Sequence, residues 1–210
     1  MKPIIYSVHP SVAAMQDTID KMPQKTGKSL VEWAELVKAS APTDRKEAMQ
    51  WLKTEFGLGT NYAMWIVDYT ANTGEDWWAA TDPKAYLNMA ERYVEAMFSD
   101  KKAHLRPIYE RLAAIAQTFG SDVKFCPTKT YVPLYRQNVF AHAKPTTAKR
   151  LDLGLSLGNP SELPVVPRLA DTGGFAKKDR ITHRIALASV DEVDDEVEHW
   201  LKAAYERDGK

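Results

Sequence analysis

Arg150-Leu-Asp-Leu-Gly-Leu-Ser-Leu157 places a leucine at every second position. Successive side chains of a strand point to opposite faces, so this stretch lines one face with leucine and sends Arg150, Asp152, Gly154 and Ser156 to the other. Working outward, apolar residues before about residue 120 recur at helical spacing. After it they alternate, and one acidic helix closes the chain. The pattern predicts an α+β protein. A small helical domain over 1–80 carries a turn like that of a helix-hairpin-helix motif, and an α+β domain over 81–210 holds an antiparallel sheet flanked by helices, with a C-terminal helix.

The chain has 210 residues, 44% hydrophobic and 27% charged, the balance of a globular protein able to bury a core in each of two small domains. No apolar run is long enough to span a membrane, and the first ten residues lack the pattern of a signal peptide, so a cytoplasmic location is expected. Cys126, the single cysteine, has no partner for an internal disulfide and is expected to be buried and inert. No cofactor or metal is implied.

Net charge is zero but unevenly spread. Residues 1–123 carry 14 Lys+Arg against 16 Asp+Glu, residues 124–184 carry 11 against 4, and residues 185–210 carry 3 against 8. Either the acidic helix neutralises the basic strands, or those strands hold an anionic ligand on a face the helix leaves open.

Helices in the first half are marked by their caps. Ser29 with Glu32 makes a capping box before Leu30, Trp33, Ala34 and Val37, and Asp44 with Glu47 repeats it before Ala48, Met49, Leu52 and Phe56. A third helix over 60–71 carries Tyr62, Trp65, Ile66 and Tyr69, and Asp82-Pro83 starts a fourth. A fifth over 105–119 ends at Gly120. Between the second and third, Gly57-Leu-Gly59 and Thr60 form a phosphate-contact candidate, because two glycines let backbone N–H groups approach an anion at the next helix's N-terminus. The competing reading is a helix C-cap followed by a tight turn. Of the six tryptophans, Trp33, Trp51 and Trp65 fit a shared core, and Trp77-Trp78 lies in or beside the loop that begins at residue 72.

The second half predicts strands over 123–125, 130–136, 139–144, 150–157 and 181–187, with a long Pro- and Gly-rich loop over 158–180. Ser189 with Glu192 predicts the cap of the last helix. Alternation puts Phe140, His142 and Lys144 on one side of their strand. Lys129, Tyr131, Arg136, His142, Lys144, Arg150, Arg168, His183 and Arg184 are the candidate ligand-binding residues, cations and aromatics suited to a nucleic acid or another anion. An ordinary solvated sheet face is the competing reading.

Lys25-Thr-Gly-Lys-Ser-Leu-Val-Glu-Trp33, Trp51-Leu-Lys and Phe56-Gly-Leu-Gly59 resemble a small bacterial helical domain of unknown function. Lys129-Thr-Tyr-Val-Pro-Leu-Tyr-Arg136, Phe140-Ala141, Arg150-Leu-Asp-Leu-Gly-Leu155, Thr182-His183 and Ser189-Val-Asp-Glu-Val193 are similar to a second such domain that often follows it. The resemblance covers most of the chain. It implies a two-domain uncharacterised bacterial family, some of whose kin are connected with DNA, and it carries over no catalytic residue.

No hydrolase elbow, phosphate-binding loop or zinc-protease motif is present, and the five histidines are scattered, with His142 and His183 the two expected to approach each other. The chain therefore reads as a non-enzymatic binding module associated with nucleic acid. Two alternatives stay open: a binder of, or enzyme acting on, a small anionic metabolite, using the sheet and the 158–180 loop; and a protein-interaction adaptor, such as a homodimer formed through Trp77-Trp78.

Overall fold

The structure is a computed structural model that describes residues 3–71 and 81–209. It divides into two compact units, Val8–Asn88 and Met1–Ser7 with Met89–Lys210. Trp77, Trp78 and the loop expected over 72–76 lie outside the described residues.

In the first unit α1 (Pro10–Asp20), α2 (Met22–Thr26), α3 (Leu30–Ser40), α4 (Arg45–Phe56) and α5 (Thr60–Ala71) follow one another. The Ser29 box forms in full: Ser29 N donates to Glu32 Oε2 at 2.7 Å, and Ser29 Oγ accepts from Glu32 N at 3.3 Å. Asp44 accepts from the N–H groups of Lys46 and Glu47. The apolar stripes of α3, α4 and α5 meet in one core that includes Met22, Trp33, Leu52, Ala63 and Ile66. Trp33 is buried with its Nε1 donating to Thr26 Oγ1 at 2.8 Å, while Trp51 and Trp65 pack at the margin.

The second unit is built on a six-stranded antiparallel sheet of β1 (Lys124–Phe125), β2 (Val132–Tyr135), β3 (Val139–Thr147), β4 (Arg150–Leu155), β5 (Ala170–Asp171) and β6 (His183–Leu187). Their order across the sheet is β1-β2-β3-β4-β6-β5. Three helices belong with them: α6 (Pro83–Met97), within which the division between the units falls, α7 (Arg106–Ala116) and α8 (Asp195–Asp208). The alternation of β4 is realised. Leu151, Leu153 and Leu155 stand beside Ala141, Ala143, Ile185 and Leu187, in one core with Leu112, Ile115, Val197 and Leu201 of α7 and α8. Tyr6 bridges Phe125 in parallel, and Ser7 N donates to its carbonyl at 2.8 Å. This is why the first residues group with the sheet, whereas the sequence pattern places them in the helical domain.

Two expectations are corrected here. Phe140 does not share a side with His142 and Lys144. The pairing of β2 with β3 shifts between Leu134 and Tyr135, so one extra residue of β3 is accommodated at Phe140. The bulge turns its ring into the core against Tyr205, at 5.6 Å between centroids. Nor does Ser189 cap the last helix: Val190–Glu192 form a 3₁₀ turn, Glu192 Oε2 accepts from Ala188 N, and α8 starts later with Asp194 accepting from Val197 N at 3.1 Å. Asp194 wins because its carboxylate lies at the positive end of the helix proper.

At the far end of α8, Asp208 is buried and accepts from the N–H groups of Gln137 and Asn138 at 2.9 and 2.8 Å, and it also holds Arg180. One carboxylate thereby ties the β2–β3 turn to the helix and to the long loop. Leu153, 1% exposed at the centre of the sheet, is the sharpest test of the packing. Leu153→Ala is expected to destabilise the second unit by about 2–5 kcal/mol, read as a lower urea midpoint with unchanged slope.

Candidate functional site

The face of the sheet opposite the leucines is assembled from β3, β4 and β6. His142 stands opposite Gly154, Gly154 opposite Arg184, and Lys144 opposite Asp152. A Cβ on Gly154 would lie 2.5 Å from His142 Nε2, so the glycine is what lets the imidazole lie across the neighbouring strand. Tyr131 packs on the same ring, 5.3 Å between centroids at 57°. Its own backbone is fixed by Thr128, whose hydroxyl accepts from Tyr131 N at 3.2 Å. Burial, with Lys144 adding to it and Asp152 opposing, pushes the His142 pKa down to about 4, so the ring is neutral at pH 7.

Asp152 is the charge at the centre of this face and is buried, 6% exposed. Thr146 Oγ1 donates to it at 2.6 Å and Arg184 NH1 at 3.2 Å. Arg150 Nε lies 2.9 Å from Oδ1 as an ion pair, without hydrogen-bond alignment, while its NH2 donates to Oδ2 at 3.3 Å. One carboxylate shared by two guanidiniums leaves a surplus of positive charge, which Lys144 increases.

Lys144 also connects this face to a groove of about 900 Å³ lined by Lys101, Lys102, Lys129, Lys144, Thr130 and Thr146, with Asp100 the one carboxylate on its walls. The 3₁₀ turn Asp100–Leu105 delivers Lys101 and Lys102, and the Lys102 ammonium donates to the Pro145 carbonyl at 2.6 Å, pinning the turn to the end of β3. Sequence reasoning selected Lys129 and Lys144 and missed Lys101 and Lys102. Their signal was an adjacent basic pair just past a helix end. Nothing in strand parity could have brought them here.

Other expected residues stand elsewhere. Arg136 donates to Asp122 at 2.7 Å and covers the Tyr205 ring at 4.3 Å. Arg168 is held by Asp194, by Glu196 and by the Glu192 carbonyl. Arg168 thereby serves the neutralising role that the acidic helix suggested, whereas the carboxylate on Arg136 comes from outside that segment. His183 shares the leucine parity, is 3% exposed, and meets Thr182 Oγ1 at 2.9 Å. It therefore faces away from His142, and the expected approach of the two histidines is not made. Gly57, at φ +66°, caps α4 through its N–H to the Leu52 carbonyl, and Thr60 opens α5 after Gly59. Gly57 and Gly59 have no atom within 4 Å of where a Cβ would stand. Among the described residues, no three His, Cys, Asp or Glu side chains are grouped to hold a metal ion, and no helix is long and apolar enough to cross a membrane. Cys126 is buried, which pushes its thiol up to about 12.

A helical unit followed by a unit built on a six-stranded antiparallel sheet defines a two-domain α+β protein. The family model described as Domain of unknown function (DUF5655) matches residues 94–208, and that described as Domain of unknown function (DUF4287) matches residues 14–72. The first covers more than half of the chain, and the chain belongs to the DUF5655 family, with a DUF4287 domain preceding the matched region. No curated protein and no solved structure matches it.

The neutral His142 has a thermodynamic signature. Its folded pKa lies below the ordinary 6.5, so between pH 6.5 and about 4 the unfolded chain binds the extra proton, and stability falls as the pH drops through that window. Comparing wild type with His142→Asn by urea titration at pH 7 and pH 4.5 should show the wild type losing roughly 2–3 kcal/mol more than the variant. Equal losses would mean that the ring is not desolvated.

Proposed function

We propose that the second unit binds single-stranded nucleic acid, with the phosphates following the lysine groove and a base stacking on the Tyr131–His142 pair. The observation that carries this reading is the groove itself: four lysines from three separate segments converge on one surface with a single carboxylate among them. Flexible ammonium groups on an open groove suit a backbone of repeating charge, because releasing condensed counterions supplies affinity without sequence information. A neutral imidazole beside a tyrosine, both half-buried, offers aromatic faces on which any base can stack. Arg150 and Arg184, already engaged by Asp152, border the rings and hold one guanidinium surplus for a phosphate at their margin. The Gly57–Thr60 turn in the first unit is not part of this reading, since the Gly57 N–H is given to the Leu52 carbonyl.

The test is fluorescence anisotropy of dye-labelled 15-residue DNA and RNA strands titrated with the full chain at low and moderate salt. Lys129→Ala with Lys144→Ala should weaken binding by about tenfold and reduce the salt slope by roughly 1.4, the value for two phosphate contacts on a single strand. Arg136→Ala, which breaks an ion pair outside the groove, should leave affinity unchanged. Absence of binding at low salt, or an unaltered affinity in the double-lysine variant, would refute the assignment.

A further inference from the structure

The second unit contains another concave site, separate from the lysine groove. A cavity of about 680 Å³ opens between the end of β4, the long loop and the last turn of α8; its lining includes Phe175, Lys178, Arg180, Thr182 and Arg207, with Asp179 the one carboxylate among them. We propose that this cavity binds a small organic anion, a phosphate or carboxylate headgroup on a flat apolar body, with Arg207 taking the headgroup and Phe175 the body.

The three cations are not equivalent. Arg180 is committed to the buried Asp208 and also donates to the Val139 carbonyl, which fixes one wall. Arg207 and Lys178 have no carboxylate within ion-pair distance among the described residues. Arg207 is nonetheless placed. Gly158 sits at φ +82°, and a Cβ there would fall 2.3 Å from the Arg207 NH2, so the guanidinium occupies the space that a side chain at 158 would need. A cation in the last turn of a helix is favoured by the dipole wherever its head points. The dipole does not account for a glycine that keeps this guanidinium down inside a cavity. Arg207 thus lines the cavity with a planar guanidinium, a group that can take a carboxylate or phosphate in two parallel hydrogen bonds.

The opposite wall is built for shape. Asp179 N and Lys177 N both donate to the Gly174 carbonyl, and Lys178 N donates to that of Phe175, closing a compact loop. Lys178 stands at φ +61°, a conformation that a lysine adopts only when its surroundings impose it. Phe175, in that loop, is 48% exposed with three cations around it and no aromatic neighbour in the cavity. The floor is polar but already satisfied: Thr182 Oγ1 accepts from Leu157 N and Gly158 N at 3.1 Å each. Neutral polar ligands find few open partners there, whereas an anion finds two unneutralised cations beside an apolar plate.

Isothermal titration of the full chain with phenyl phosphate and with benzoate tests this, with inorganic phosphate as the headgroup alone. At least one aromatic anion should bind saturably below about 10 mM and about tenfold more tightly than inorganic phosphate. Arg207→Gln, at an exposed position, should weaken it about tenfold, and Phe175→Ala should bring it down to the level of inorganic phosphate. The Lys129→Ala, Lys144→Ala variant should bind it as wild type does, which separates this site from the nucleic-acid reading. No saturable binding of either aromatic anion, or binding unchanged by Arg207→Gln, would overturn the proposal.

Discussion

Period-two alternation in β4 is the constraint on which this protein's second unit depends, because a single strand supplies the middle of the core and the middle of the open face. Leu151, Leu153 and Leu155 commit one side to the helices, so Asp152 and Gly154 must emerge on the other. A one-residue slip would bury Asp152 among leucines and expose the leucines to water. Register is therefore held by the core and by the polar face together. Burying a carboxylate is tolerable only where its charge is compensated, and Asp152 meets that condition through Arg150, Arg184 and Thr146. The requirement runs both ways. The arginines that compensate Asp152 are the same groups that make the open face cationic.

The basic middle and acidic end of the sequence resolve into two populations of cation. Arg136 and Arg168 meet carboxylates at Asp122, Asp194 and Glu196, and Arg180 reaches Asp208. Most of these partners are distant in sequence, so segment counts show an imbalance where the fold places pairs. Arginine takes these roles because its planar fork engages a carboxylate and a backbone carbonyl at once, as Arg168 does with Asp194 and Glu192. What lines the groove is lysine, at 101, 102, 129 and 144. A strongly hydrated ammonium on a flexible stem gains little from a fixed surface pair. Positive charge therefore gathers where lysines meet, at the end of β3.

Features set by local chemistry were legible in the sequence. The Ser29–Glu32 box, the Asp44 cap, the Gly57 stop and the leucine alternation each depend on residues within a few positions of one another. Those that were not legible depend on partners from elsewhere. The bulge that redirects Phe140 arises from pairing with β2 and leaves no mark in β3's own pattern. The start of α8 was decided between two plausible caps, Ser189 and Asp194, by a 3₁₀ turn whose Glu192 is drawn back to Ala188 N. β5 is two residues long and exists through its pairing with β6. For the candidate site, parity put His142 beside Lys144 within β3 and turned Arg150 away from the leucines within β4, but it misplaced Phe140 and could not say which strands' faces coincide. It was silent on Lys101, Lys102 and Arg207, which enter from a turn and a helix end.

The same distinction separates the two proposed anion-binding surfaces of the α+β unit in character. Along the groove the cations are lysines on separate segments with room to move, an arrangement that tolerates variable phosphate spacing and is weakened by salt. In the cavity the recognising group is one arginine packed against Gly158, beside an aromatic ring and opposite a loop closed by its own hydrogen bonds. Preorganisation there lowers the entropy lost on binding and restricts the shape of what fits. Both surfaces trace back to glycines where a side chain would obstruct: Gly154 under His142 and Gly158 under Arg207. Each lies on or just beyond β4, so the strand that organises the core also gives His142 and Arg207 their room.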